Sequence, residues 1–276
     1  MIINMRTRNA RPYITLFKIR FINVLQYRIA AWAGVSTQFA WGFLNILLFH
    51  AFYKENPANF PMTFQQFATY TWLQQALLAL FAAWRWDNSI FDDIISGNIA
   101  YELVRPVDLY NMWLVKNMAT RVAGVILRCL PIFVVTFFLP KPFGLILPPD
   151  IFTFGLFLIS MISAFALANL YCMFYYIFAF YTINTSGLRM FGTALSDLFA
   201  GLVIPLPFFP EPILKILNFL PFASMQNIPL FIYSGYISKE EAVYKIALQV
   251  FWIIIFYITG KMLLKNALKK VIIQGG

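Results

Sequence analysis

The chain of 276 residues contains few of the side chains that enzymes use for catalysis. It has one histidine and two cysteines, and only 12% of its residues are charged. A serine hydrolase would depend on His50, and neither a G-x-S-x-G elbow nor an H-E-x-x-H motif is present. Cys129 and Cys172 lie within apolar segments, which argues against a disulfide framework or a metal site. We therefore expect no catalytic and no metal-binding residues.

The chain also lacks the common nucleotide- and nucleic-acid-binding motifs. No G-x-x-x-x-G-K-[ST] loop occurs, so it cannot hold ATP phosphates by that device. The net charge of +10 comes from basic residues at the ends of apolar stretches, which is typical of membrane topology and not of a nucleic-acid-binding face. We expect no cofactor in this chain and no nucleic-acid partner.

Apolar residues are abundant instead. The chain is 61% hydrophobic and 19% aromatic, with a mean hydropathy of +0.72. Soluble domains are about half apolar and a quarter charged. The composition therefore predicts an all-α integral membrane protein, which we treat as one domain over residues 1–276. The first apolar run is longer than the core of a signal peptide, so we expect no cleaved leader.

Six stretches have the length and apolar character of membrane spans, for which about 20 residues are needed to cross roughly 30 Å of hydrocarbon. They are residues 29–52, 62–84, 113–139, 151–181, 187–204 and 243–264. The preceding residues 11–28 place apolar and basic side chains on different sides, which predicts an amphipathic helix in the membrane interface. Residues 205–238 contain six prolines yet stay apolar, and we expect two short re-entrant helices at the outer face.

The distribution of lysine and arginine predicts the orientation. Sixteen basic residues fall on the side that carries both termini and residues 85–111, and five fall on the other. Because basic loops face the cytoplasm, we expect both termini inside a multi-pass protein of the cell membrane.

Residues 85–111 form a polar island that holds five of the eleven acidic residues. Asp87, Asn88 or Ser89 can cap a helix there, and Gly97 can end it, which predicts a short amphipathic helix over 87–96. Two interpretations stay open from these residues alone: a surface for a soluble partner, or a loop helix that packs only on its own chain. The candidate docking residues are Asp87, Ile90, Phe91, Asp92, Asp93, Ile94, Ile95 and Gly97.

A few polar residues fall inside the predicted spans, where they are costly. Asp197 and Arg128 lie at similar depths in spans five and three, and we expect them to pair and fix helix packing. Gln74 and Gln75 in span two either bridge helices or line a passage. Ser196 belongs to a stripe of small residues at which helices can approach closely.

The order of these elements resembles the membrane subunits of ABC-2 type ABC exporters, and in particular the six-span permeases encoded apart from their ATPase. Four stretches carry the resemblance: Ile95–Val107, the outer Phe209–Ser238, Gln249–Trp252 and the ending Ile273–Gly276.

The resemblance implies that 11–28 is the connecting helix, that 87–96 is a coupling helix docked on an ATPase subunit, and that 205–238 is an extracellular gate. Spans two and five would line the path between two permeases, either identical or homologous, which makes Gln74, Gln75, Ser196 and Asp197 candidate path residues. ATP and Mg²⁺ would be bound by the partner ATPase. The implied function is export of an amphipathic or hydrophobic compound; the alternative is a membrane scaffold that recruits a soluble protein through 87–96 without transport.

Overall fold

The computed structural model describes residues 10–182 and 184–269, and this part of the chain contains eleven α-helices. The ending Ile273–Gly276 and the basic residues Arg6, Arg8 and Lys270 lie outside the described part. In chain order the helices are α1 (Arg11–Leu25), α2 (Arg28–Glu55), α3 (Phe64–Phe81), α4 (Asn88–Ile95), α5 (Ile99–Leu103), α6 (Leu109–Phe137), α7 (Ile151–Phe178), α8 (Thr185–Phe199), α9 (Glu211–Phe219), α10 (Pro221–Ser234) and α11 (Lys239–Leu268).

Four helices are long and apolar enough to cross a membrane. They comprise α2, α6, α7 with its short 3₁₀ extension to Tyr181, and α11, and they have 27 to 31 residues each. At 1.5 Å per residue such helices measure about 40 to 46 Å, more than the roughly 30 Å of hydrocarbon. The chain is therefore an all-helical membrane protein with several apolar helices, as its composition predicts.

The other two predicted spans are helical but differ from these four. Helix α3 has 18 residues, nearly all of them buried, and it packs between α2, α6 and α10. Its sequence is less apolar than those of the four long helices, which is tolerated because its polar side chains face protein. Helix α8 has 15 residues, about 22 Å, and ends at Phe199 instead of the predicted residue 204. It ends there because the chain turns through Gly201, whose φ of +73° is readily adopted by glycine.

The proline-rich segment contains two short helices, as predicted. Helix α9 is mostly exposed, whereas α10 is buried on almost every side against α7, α3 and α11. Gly235 ends α10 in the left-handed conformation, with a φ of +68°. An internal helix of this kind fills the bundle at one end.

A buried hydrogen-bond network joins α3, α10 and the turn after α8. The hydroxyl of Tyr70 donates to Oδ1 of Asn227 at 2.6 Å, and the amide of Asn227 donates to the carbonyl of Ala200. The amide of Gln74 donates to the carbonyl of Gly201 at 3.3 Å. Because buried polar groups are expensive to leave unpaired, this network fixes the position of the turn against the core.

The network makes Tyr70→Phe a sharp test of packing. The change removes one buried hydroxyl and leaves Oδ1 of Asn227 without its donor, so we expect a loss of about 1–3 kcal/mol in unfolding free energy. Tyr244→Phe, at an exposed tyrosine of α11, is the matched control. Thermal unfolding of both variants in detergent measures the difference; equal melting temperatures would show that the network contributes little.

Candidate functional site

The helix predicted in the polar island forms as α4, with its ends where the sequence places them. Asp87 is the N-cap, and its Oδ1 accepts a hydrogen bond from the backbone N–H of Ser89 at 3.0 Å. The chain leaves the helix through Ser96 and then Gly97, which has a φ of +78°. The island links the end of α3 to the start of α6, so α4 and α5 lie at one end of the bundle.

Helix α4 is tied to the amphipathic helix α1. The guanidinium of Arg20 lies 3.5 Å from Oδ2 of Asp87 and donates to Oγ of Ser89 at 3.0 Å. A second arginine, Arg189 on α8, donates to Oδ1 of Asn88 at 3.1 Å and stacks 4.8 Å above the ring of Phe91. Two separate helices thus hold the first turn of α4.

The apolar side of α4 packs against the end of α7. Ile90 and Phe91 are fully buried, and the ring of Phe91 lies 4.9 Å from that of Tyr176. The backbone N–H of Asp87 donates to the hydroxyl of Tyr176 at 2.7 Å. Movement of α4 must therefore carry the end of α7 with it.

This arrangement corrects part of the predicted docking face. Asp87, Ile90 and Phe91 are buried within the chain and cannot touch a soluble partner. Asp93 and Ile94 are half-buried, whereas Asp92, Ile95 and Gly97 are exposed. Ile90 and Phe91 form the half of the apolar face of α4 that packs on the end of α7, whereas Ile95 on the same face stays exposed.

The exposed surface continues beyond α4 onto α5. Tyr101 is 71% exposed and Val104 is 82% exposed. We call the set Asp92, Ile95, Gly97, Tyr101 and Val104 the island surface. Sequence reasoning missed Tyr101 and Val104; their apolar side chains within a hydrophilic stretch were the signal.

A buried ion pair fixes α5 to α6. Oε1 of Glu102 pairs with Nζ of Lys116, and its Oε2 accepts from Nε1 of Trp113 at 2.8 Å. Glu102 and Lys116 are both nearly inaccessible to solvent. The side chains opposite the island surface are thus firmly held.

The four candidate path residues lie on α3 and α8, and only Asp197 reaches a groove. Gln74, Gln75 and Ser196 are buried, and Gln74 bridges α3 to the turn after α8, so the bridging interpretation fits it. Asp197 is half-buried at the edge of a groove of about 500 Å³, with Trp86 and Arg189 among its other lining residues.

The expected pairing of Arg128 with Asp197 is not made. Of the six ion pairs in the part of the chain that the structure describes, none includes either residue. The guanidinium of Arg128 lies against Gly34 of α2, while Asp197 faces the groove beside α8. Similar depth along two helices did not bring their side chains together, because depth says nothing about direction around the helix axis.

Comparison with known protein families shows which family the chain matches. A family model described as an ABC-2 family transporter protein matches residues 39–275, from within α2 to almost the last residue. No curated protein matches the chain.

The buried pair of Glu102 and Lys116 predicts a large effect from removing one partner. Lys116→Met leaves a buried carboxylate without its counter-ion, and we expect a loss of about 3–5 kcal/mol in unfolding free energy. Lys215→Met removes a lysine from the exposed pair with Glu211 and should cost less than about 1 kcal/mol. Thermal unfolding measures the loss of stability in both variants. Equal losses would refute the role of the Glu102–Lys116 pair in anchoring α5 to α6.

The contact between Arg20 and α4 predicts a local change in dynamics. Arg20→Gln removes the ion pair with Asp87, so amide hydrogen exchange in Asn88–Ile95 should accelerate about fivefold, corresponding to about 1 kcal/mol. Lys18→Gln, at an exposed position of α1, is the control. Unchanged exchange in the Arg20 variant would mean that α1 does not hold α4.

Proposed function

The chain belongs to the ABC-2 family of transporter proteins, and from this premise we propose that it is the permease subunit of an ATP-driven exporter. It moves an amphipathic or hydrophobic compound out of the cytoplasm. The chain itself hydrolyses no ATP; ATP and Mg²⁺ are bound by a separate ATPase subunit. The absence of a phosphate-binding loop from the sequence supports the proposal that a separate subunit binds ATP.

In this proposal the bundle crosses the cell membrane six times, with both termini in the cytoplasm. Helices α3 and α8 join the four long helices as the second and fifth spans. The almost complete burial of α3 among α2, α6 and α10 supports its place inside the bundle. Helices α9 and α10 form the outer re-entrant gate, which the internal position of α10 supports, since irregular backbone at membrane depth must be covered by protein.

The ATPase docks on the island surface, with α4 and α5 as the coupling element. The observation that carries this proposal is the exposure of Tyr101, Val104 and Asp92 on a segment whose opposite side is anchored by buried contacts. Exposed apolar side chains rimmed by charge are characteristic of protein interfaces, and aromatic residues contribute most of the binding energy in many of them.

Motion of the ATPase reaches the spans through the buried side of α4. Phe91 and Asp87 contact Tyr176 on α7, and Arg20 connects the same turn to α1. A displaced α4 therefore acts on two helices at once. Two permeases, identical or homologous, form the path between them, with the groove at Asp197 on their shared side.

The docking proposal predicts the effect of a charge placed on the island surface. Val104→Asp and Tyr101→Asp each put a carboxylate into an apolar contact, so co-purification of the ATPase and stimulation of its activity should fall at least about tenfold. Asp92→Lys should weaken both as well, since it reverses an exposed charge. Val203→Asp changes an equally apolar residue, 62% exposed in the segment after α8, and is the control.

Three outcomes separate the possibilities. Loss of ATPase binding in the island variants, with normal behaviour of the control, supports the docking surface. Normal binding and stimulation in all island variants refutes it. If the wild-type chain recruits its partner but vesicles containing the complex transport no amphipathic or apolar compound, the chain is the alternative membrane scaffold.

A further inference from the structure

Three arginine side chains converge near the end of α3. Arg121 on α6 is fully buried; its Nη1 donates to the carbonyl of Leu80 at 2.7 Å and its Nη2 to that of Arg85 at 2.7 Å. It therefore caps the carbonyl end of α3, where a positive charge is favourable. Arg85 and Arg128 lie next to it and have no such role.

The guanidinium groups of Arg85 and Arg128 are poorly satisfied by the protein. Nη2 of Arg85 makes one long contact, 3.5 Å to the carbonyl of Thr120. Arg128 makes no hydrogen bond or ion pair in the described part of the chain, and Nε of both side chains is buried without a partner. Both side chains fill space next to glycines: a Cβ at Gly124 would clash with Arg85, and one at Gly34 would lie 2.7 Å from Arg128.

No carboxylate of the chain compensates these charges. All eleven acidic residues fall in the described part, and six of them pair with other cations: Asp87, Glu102, Asp108, Asp150, Glu211 and Glu241. Asp197 faces the groove beside α8. The remaining four, Glu55, Asp92, Asp93 and Glu240, make no ion pair with these arginines either, and three of them are fully exposed.

Arg85 keeps its charge at neutral pH. Burial and the positive charges of Arg128 and Arg121 lower the pKa of Arg85 to about 10, which still leaves it protonated. Uncompensated cations at this depth are costly, and the cost falls if an anion binds between them.

The surroundings indicate where such an anion comes from. Arg128 lies within α6 and its guanidinium packs against Gly34 of α2, and both helices are long enough to cross the membrane. A polar cavity of about 490 Å³ lies at the hinge between α1 and α2, lined in part by Arg20, Tyr27 and Thr120. Thr120 is the residue whose carbonyl meets Arg85. The cluster therefore lies between two helices that can cross the membrane, and Thr120 separates it from a polar space.

We propose that Arg85 and Arg128 bind the phosphate of an anionic phospholipid headgroup, on the side of the membrane where α4 lies. Guanidinium groups present paired N–H donors that match phosphate oxygens. Basic pockets between membrane helices are suited to anionic headgroups for the same reason. The bound lipid bridges α2, α6 and the end of α3, next to the hinge that precedes the first long helix.

The test is retention of lipid by the full chain in detergent, measured by native mass spectrometry after addition of phosphatidylglycerol or phosphatidylcholine. The wild type should retain phosphatidylglycerol preferentially. Arg128→Gln should reduce that retention about tenfold, the effect of one charge-assisted hydrogen bond. Lys141→Gln, at an exposed lysine after α6, removes the same charge elsewhere and should leave retention unchanged.

Each other outcome overturns the proposal. Unchanged retention in both Arg128→Gln and Arg85→Gln would exclude the site, and an equal loss in Lys141→Gln would show unspecific attraction. Equal retention of phosphatidylcholine would exclude selection of an anionic headgroup. Displacement of phosphatidylglycerol by equimolar inorganic phosphate would identify free phosphate as the ligand. Should Arg128→Gln not be recovered as a folded chain, Arg128→Lys makes the same comparison, because it keeps the charge but loses the paired donors.

Discussion

In the hydrocarbon core of a membrane no water is available to pair with a polar group, and this constraint shapes the whole chain. Helices satisfy the backbone, which accounts for an all-helical membrane protein. Side chains need specific partners, and Tyr70, Gln74 and Asn227 find them in one another and in the carbonyls of Ala200 and Gly201. The place where α8 stops is therefore also a place where the core is fixed, because the carbonyls freed by the turn are bound by α3 and α10.

The same constraint gives the polar island two different sides. Toward the bundle, Glu102 finds Lys116 and Trp113, and Asp87 finds Arg20 and Tyr176. Away from the bundle, Asp92 needs only solvent or a partner protein. A coupling element requires this asymmetry: the side toward the spans must be rigid to transmit a displacement, and the other side must be free to be gripped.

The helix ends and short helices of this chain were predictable from the sequence, whereas the directions in which side chains point from their helices were not. Asp87 as cap, Gly97 as terminator and the two short helices of the proline-rich segment follow from chemistry within a few residues. The direction of the apolar stripe of α4 was misjudged, because Ile90 and Phe91 suit a partner and a chain core equally well. Arg128 and Asp197 were paired from depth alone, whereas contact also depends on rotation about each helix axis. Tyr101 and Val104 were missed because α5 has only five residues and Val104 follows it, so no helical periodicity marks either residue.

The three arginines near the end of α3 fall into two groups: Arg121 has a structural role, and Arg85 and Arg128 do not. Arg121 shows that a buried guanidinium can find partners within the chain, since its two terminal nitrogens donate to the carbonyls of Leu80 and Arg85, so an arginine in the core is not by itself a site. Arg85 has only a long contact to the carbonyl of Thr120, and Arg128 has no hydrogen bond in the described part of the chain. A half-buried charge without a partner is less stable than a well-packed apolar side chain, so stability alone does not account for Arg128. Its position against Gly34 of α2 fits the proposed anion, which the chain does not itself supply.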